Sequence, residues 1–194
     1  MPVQDKKLWS KPILLVGPMG AGKTTIGQAL AQALKVSYID NDDHILTTMR
    51  VKYPGITIPQ IFERWGEAFF REQERKCLRS LVGGADGTEP CPYQVIAGGG
   101  GIVGPKANRA LIKERTYCLY LQLPVAQQYE RVKGDTNRPM LKSPDVLERI
   151  KALAAIRDPL YREVASAIID ANAPVSEVVA RCKAALAQLD KEEL

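Results

Sequence analysis

The stretch GPMGAGKT, Gly17 to Thr24, constrains this chain more than any other. It fills every fixed position of G-x-x-x-x-G-K-[ST], directly after the apolar run ILLV and directly before TTIGQALAQAL. In the latter, Ile26, Leu30, Ala33 and Leu34 recur at helical spacing, so the order is strand, glycine loop, helix. Glycines let successive backbone N–H groups turn inward on phosphate oxygens, and the helix N-terminus adds about half a positive charge. Lys23 is expected to reach the β and γ phosphates of a nucleotide and the Thr24 hydroxyl to ligate Mg²⁺, with Gly20, Ala21, Gly22 and Thr25 completing the ATP cradle. The competing reading, a glycine turn without a ligand, loses weight because both flanking elements are present.

Downstream, apolar runs and helical periodicities alternate. VSYID reads as a second strand, followed by a helix from about Asp43, a turn at YPGI and a helix from Pro59 to about Leu81. GGADGTEPCP has the composition of a surface loop, and YQVIAG is a third strand ending in the run Gly98 to Gly101. A short helix is expected over Lys106 to Lys113, a fourth strand at TYCLYLQL, and a helix that breaks into a polar, lid-like segment over about 130–145. Helical sequence runs from Pro144 to about Val164, SAIIDA is a fifth strand, and PVSEVVARCKAALAQL closes as an amphipathic helix with a proline at its first turn. Strands alternating with helices predict an α/β fold: a five-stranded parallel sheet between two helical layers, one domain over 1–194 with its core at about 11–190.

Composition narrows the function classes. At 194 residues, 45% hydrophobic and 25% charged, the chain matches a globular domain, and no window approaches the run of about 20 apolar residues that spans a bilayer. No secretory h-region is visible in MPVQDKKLWSKP, so a cytoplasmic location is expected. The four cysteines are widely spaced and His44 is the single histidine, which argues against a zinc site. The net charge of +5 is spread along the chain without a nucleic-acid-binding pattern, and suits a small anionic ligand.

A phosphate loop names a nucleotide and not a reaction, so the acceptor has to be read from other stretches. In order, LVGPMGAGKTTIG, YIDNDDHI, IFERWGEAFFREQE, VIAGGGGIV, NRPML and IRDPLYREVA resemble the blocks of the shikimate kinase family, from about Ile13 to Ala187. The resemblance implies a nucleoside-monophosphate-kinase-like fold and transfer of the γ-phosphate of ATP to the 3-hydroxyl of shikimate, a step toward aromatic amino acids. It also implies one Mg²⁺ per subunit and a monomer with no nucleic-acid or membrane partner.

Carried over residue by residue, the resemblance makes Arg71 and Arg157 the forks for the acceptor carboxylate, and Glu74 the group that fixes Arg71 from three residues away. Gly99, Gly100 and Gly101 match three glycines whose backbone lies against the substrate ring; Gly98 departs from the pattern, as do Leu46 and the long 83–92 loop. Asp42 matches the aspartate that binds the acceptor hydroxyls and orients or deprotonates the attacking oxygen, although a helix-capping role stays open for it. Asp40 is expected to share a strand face with Asp42 and to hold an Mg²⁺ water, while Asp43 is assigned to the helix start. In the lid, Arg138 matches the arginine that closes on the phosphates, and Arg131 one that stacks on adenine. Lys133 and Lys142 read as solvated charge, and Asp170 to Pro174 as a lining of the adenine. Gluconate and nucleoside monophosphate kinases are the rival enzymes, and a non-catalytic nucleotide-gated module the rival class.

Overall fold

The computed structural model describes residues 9–83, 93–133 and 145–192. The strands are β1 (Ile13–Val16), β2 (Ser37–Asp40), β3 (Gln94–Ala97), β4 (Tyr117–Gln122) and β5 (Ala167–Asp170). They form one sheet in the order β2-β3-β1-β4-β5, every pairing parallel. The helices are α1 (Lys23–Leu34), α2 (Asn41–Lys52), α3 (Ile58–Val82), α4 (Lys106–Arg115), α5 (Val125–Val132), α6 (Val146–Val164) and α7 (Val175–Glu192).

Period-two alternation divides the apolar strands between two cores. Leu14 and Val16 of β1 join Ile96, Cys118 and Tyr120 in the layer that also holds residues of α2, α3, α4 and α6. Ile13 and Leu15 join Val95, Leu119 and Leu121 in the opposite layer with α1 and α7. Because both faces are covered, β1 reads as a continuous apolar run with no exposed position.

Strand β1 lies between β3 and β4, so the connection after β1 leaves toward β2 and the one after β3 leaves toward β4. That reversal opens a crevice at the carboxyl ends of β1 and β3. Into it run the loop of Gly17 to Gly22 and the run of Gly98 to Gly101, tied together by a hydrogen bond from the Gly98 N–H to the Leu15 carbonyl (2.9 Å).

Three boundaries differ from the sequence-based expectation. Helix α2 starts at Asn41, not near Asp43, because the Asp40 carboxylate accepts from the Asp42 N–H (3.0 Å) and caps it. Asp40 and Asp42 therefore do not share a strand face: one ends β2, the other sits in the first turn of α2. The helix read from Pro59 to Leu81 is a pair of helical segments meeting at a kink, where Gly66 takes φ 79° and ψ 172°. Its start is secured by a capping box between Thr57 and Gln60. Helix α6 is capped by Asp145, whose side chain accepts from the Glu148 N–H (3.0 Å), and it carries Pro159 inside. Among the described residues, no helix is long and apolar enough to cross a membrane.

A Cβ at Gly66 would meet nothing within 4 Å, so a substitution there tests backbone conformation alone. Gly66→Ala is expected to lower stability by about 1–3 kcal/mol in urea unfolding. An unchanged midpoint would mean that the kink is not held in this conformation.

Candidate active site

The donor end is built from β1, the glycine loop and α1. Gly22 caps α1 in a left-handed conformation, and the first turn of that helix carries no acid, which leaves its positive end free for phosphate. The Lys23 ammonium donates to the Gly17 and Pro18 carbonyls at 2.8 and 2.9 Å, curled over the loop whose phosphates it would otherwise meet. Ala21 departs from expectation in one respect. The whole residue is buried in the core under α1 and α7 and, unlike Gly20 and Gly22, it does not line the cleft.

Beside this loop the Asp40 carboxylate collects three donors. Thr24 Oγ1 and the Tyr38 hydroxyl donate to Oδ2 at 3.1 and 3.2 Å, and the Asp42 N–H donates to Oδ1. Burial, and next the Asp40 charge, hold the Tyr38 phenol well above its ordinary range. Thr24 and Asp40 thus bring hard oxygen donors together at the mouth of the phosphate loop. That set fits Mg²⁺, which binds through one or two protein oxygens, substrate phosphates and retained waters. No group of three or more His, Cys, Asp or Glu that could hold a metal ion by itself assembles among the described residues.

The acceptor end shares the same cleft, about 620 Å³ in volume. Gly20, Gly22, Lys23, Thr24, Thr25, Asp40, Asp42, Arg71, Gly99, Gly100, Gly101, Arg131 and Arg157 all line it, so residues spread from 20 to 157 meet at one place. Arg71 is held on two sides. Nη1 donates to Glu74 Oε2 (3.0 Å), while Nη2 and Nε donate to Glu67 Oε1 (3.0 and 3.2 Å). Burial opposes the guanidinium charge, but the two glutamates outweigh it and keep Arg71 protonated.

Glu74 is wholly buried, and its Oε1 has no hydrogen-bond partner. Asp42 Oδ1 is buried and unpartnered too. Burial, and then the Asp40 charge, push the Asp42 carboxyl up to about 6 against the pull of Lys23 and Arg71. Burial likewise raises Glu74, with Arg71 opposing it. Two buried carboxylate oxygens without donors are costly. Acceptor hydroxyls are the kind of group that would satisfy them.

The glycine run does more than spare room for a substrate. A Cβ on Gly99 would strike Glu74 Oε1 and lie 2.9 Å from Asp42 Oδ1, and one on Gly101 would lie 2.5 Å from Arg71 Nη1. These two glycines admit the protein's own acids and guanidinium. Gly100 is different: its Cβ would stand 3.7 Å from Arg157 Nη1, at ordinary contact distance and facing the cleft.

Arg131 spans the far end of the cleft, donating from Nη1 to the Gly20 carbonyl (3.0 Å) and from Nη2 to the Ala171 carbonyl (3.2 Å). Asp170 instead turns to Arg181, 3.3 Å away. Asp43 is exposed in the first turn of α2, where it complements the helix dipole, but the cap is Asp40. Arg138 and Lys142 lie outside the described residues. Sequence reasoning missed the apolar wall of Ile58, Pro59, Phe62 and Phe70, of which Ile58 and Phe62 carried a signal in their spacing of four on a helix. Tyr38 and Tyr161 were also missed: each lies inside a quoted block, YIDNDDHI or IRDPLYREVA, but its hydroxyl partner is visible only in the fold.

A family model described as shikimate kinase matches residues 19–187. A shikimate kinase of Halorhodospira halophila is 43% identical over 175 residues, covering 89% of this chain and 92% of that one. One from Stenotrophomonas maltophilia is 42% identical over 160 residues, 82% of each chain. Among solved structures, the shikimate kinase of Acinetobacter baumannii in complex with shikimate superimposes with a TM-score of 0.81 at 38% identity, covering 95% of this chain and 96% of that one. A gluconokinase from Sinorhizobium meliloti, 16% identical with a TM-score of 0.59 over 96% and 97% of the two chains, shares the fold alone.

The Asp42 geometry has a consequence for stability. A carboxyl whose folded value is raised from 3.8 to about 6 favours folding most below its unfolded value, and that contribution is lost as pH rises through about 6. Asp42→Asn is therefore expected to be more stable than the parent at pH 8 by about 1–3 kcal/mol, with the advantage vanishing near pH 4. Thermal unfolding at the two pH values measures it, and an asparagine variant less stable at pH 8 would contradict the buried, donorless carboxylate.

Proposed function

The chain belongs to the shikimate kinase family, and we propose that it transfers the γ-phosphate of ATP to the 3-hydroxyl of shikimate, giving shikimate 3-phosphate and ADP. The observation that carries this reading is the meeting of a phosphate loop with an unpartnered, buried Asp42 oxygen and two arginines, Arg71 and Arg157, in one cleft. The arginines suit a carboxylate, Asp42 suits a hydroxyl, and Gly99 to Gly101 leave space between them.

In this reading ATP lies along the glycine loop, with Gly20 to Thr25 supplying N–H groups and Arg131 available beside the base. Lys23 leaves the Gly17 and Pro18 carbonyls and takes phosphate oxygens instead. Mg²⁺, one per subunit, would be held by Thr24 directly and by Asp40 through water, and supplies charge neutralisation on the phosphates. Asp42 receives the 3-hydroxyl, aligns its oxygen for in-line attack and accepts its proton as the bond to phosphorus forms. Arg71 and Arg157 fix the carboxylate at the other end of the acceptor, which holds the hydroxyl against Asp42. Arg138 is assigned to the transferring phosphoryl group by resemblance. The reading also includes a single-domain, cytoplasmic monomer whose partners are small molecules.

Purified protein with ATP and Mg²⁺ is expected to release ADP on addition of shikimate and not of gluconate or AMP; absence of shikimate-dependent turnover in a coupled assay would refute the assignment. With Asp42 as the proton acceptor, kcat/KM for shikimate falls as pH drops below about 6. Asp42→Asn removes that limb and about 10²–10⁴-fold of turnover. Gly100→Ala keeps the fold, since its Cβ meets the protein only at ordinary distance, and raises the shikimate KM at least about tenfold. A melting temperature lowered as far as that of Gly99→Ala would show instead that Gly100 is a packing residue.

A further inference from the structure

The two arginines of the acceptor pocket are held in different ways. Arg71 is braced by Glu67 and Glu74 on its own helix. Arg157, on α6, has no carboxylate within ion-pair distance among the described residues, and Pro159 weakens its helix two residues on by withholding the N–H that would bond to the Ala155 carbonyl. Something else has to set where Arg157 stands relative to the glycine run.

We propose that Tyr161 is a positioning residue of the acceptor site, its phenol joining the Arg157 guanidinium to the Gly100 carbonyl and so fixing the separation between α6 and the Gly98 to Gly101 loop. The inference rests on the reading of this cleft as a shikimate pocket. Tyr161 lies one helical turn after Arg157, is 2% exposed, and donates its single hydroxyl proton to the Gly100 carbonyl at 2.6 Å. With that proton committed, the phenol offers only lone pairs to Arg157, whose guanidinium is a pure donor. Arg157 Nη1 and Tyr161 Oη both approach the point where a Gly100 Cβ would stand, at 3.7 and 4.0 Å. Burial pushes the Tyr161 phenol up to about 12, and the nearby Arg157 charge pulls in the opposite direction.

The ring is held independently of the hydroxyl. Tyr120 of β4 stacks on it at 5.1 Å and 28°, and donates its own hydroxyl to Asp158 Oδ1 at 2.6 Å. Asp158 in turn accepts from Arg162 at 2.7 Å. Strand β4 therefore locates the helix, and the Tyr161 hydroxyl transmits that location to the two groups that meet the acceptor. Removing the hydroxyl alone leaves the stack, the helix and the fold in place, and frees Arg157 and the Gly100 carbonyl.

Isothermal titration with shikimate and steady-state kinetics on Tyr161→Phe test this. Shikimate Kd and KM are expected to rise about tenfold, while the ATP KM, kcat at saturating shikimate and melting temperature stay within about twofold or a few degrees. In an Arg157→Ala background the same substitution is expected to cost much less than it does alone, because one of the two groups the hydroxyl positions is already gone. Tyr120→Phe, which spares the Tyr161 hydroxyl, is expected to change shikimate affinity less than about twofold. An unchanged Kd in Tyr161→Phe, full additivity with Arg157→Ala, or an equal loss in Tyr120→Phe would each overturn the proposal. If the parent protein neither binds nor phosphorylates shikimate, the acceptor reading fails and this inference with it; if the parent does both and Tyr161→Phe matches it, this inference fails alone.

Discussion

The pairing of Arg71 with the buried Glu74 is the interaction on which the acceptor half of this molecule depends. Taking both charges from water costs several kcal/mol, so the pair contributes little to stability. What it supplies is geometry. The carboxylate that receives Arg71 Nη1 leaves its other oxygen toward Asp42 and Gly99, and the guanidinium presses on Gly101. From this one pair follow the absence of side chains at 99 and 101 and the fixed direction of the Arg71 fork.

The donor half is organised by substitution of partners. Lys23 is satisfied by two loop carbonyls, and Asp40 by Thr24, Tyr38 and the start of α2. In the proposed reading, nucleotide binding exchanges these contacts for phosphate oxygens and a hydrated cation. Asp42 is the exception. Its Oδ1 has no internal substitute, and the free carboxylate is destabilised by burial and by Asp40 together. Three acids within four positions thus hold three environments: Asp40 capped and shared, Asp42 buried and unsatisfied, Asp43 solvated on the helix dipole.

Local patterns carried most of the architecture. Apolar runs marked β1, β3 and β4, because a parallel strand covered on both faces shows no polar alternation, shorter mixed runs marked the edge strands β2 and β5, and 3.6-residue spacing marked the helices. The glycine loop and both acceptor arginines were legible for the same reason, since each sits within a contiguous motif. What escaped depended on contacts remote in sequence. Whether Asp40 or Asp43 caps α2 turns on where β2 stops pairing with β3 at Ala97. The Gly66 kink sits inside an otherwise helical periodicity, and glycine alone does not distinguish a tolerated helix residue from a break. Glu74 was legible as the partner of Arg71 from its spacing of three, but its complete burial was not, because it depends on the approach of Gly99 from the end of a remote strand. Tyr161 acts across 61 residues of chain, on a backbone carbonyl that has no sequence signature.

The unsatisfied oxygens of Asp42 and Glu74 also bear on selectivity. A pocket that binds by apolar contact loses little when an acceptor lacks a hydroxyl. One with buried, donorless carboxylate oxygens loses the full desolvation penalty of each group left unpaired. The cost of these unpaired oxygens is therefore a means of discrimination: an acceptor with a carboxylate for the arginines but no hydroxyl at Asp42 leaves that oxygen buried and alone. The same reasoning explains why the site combines rigid arginines with strained acids. In the proposed reaction the arginines, braced by Glu67, Glu74 and Tyr161, would bind equally well before and during transfer, whereas Asp42 would gain most as the hydroxyl proton moves onto it. Affinity and rate are then set by different residues of one cleft, and the boundary between them lies along Gly99 to Gly101.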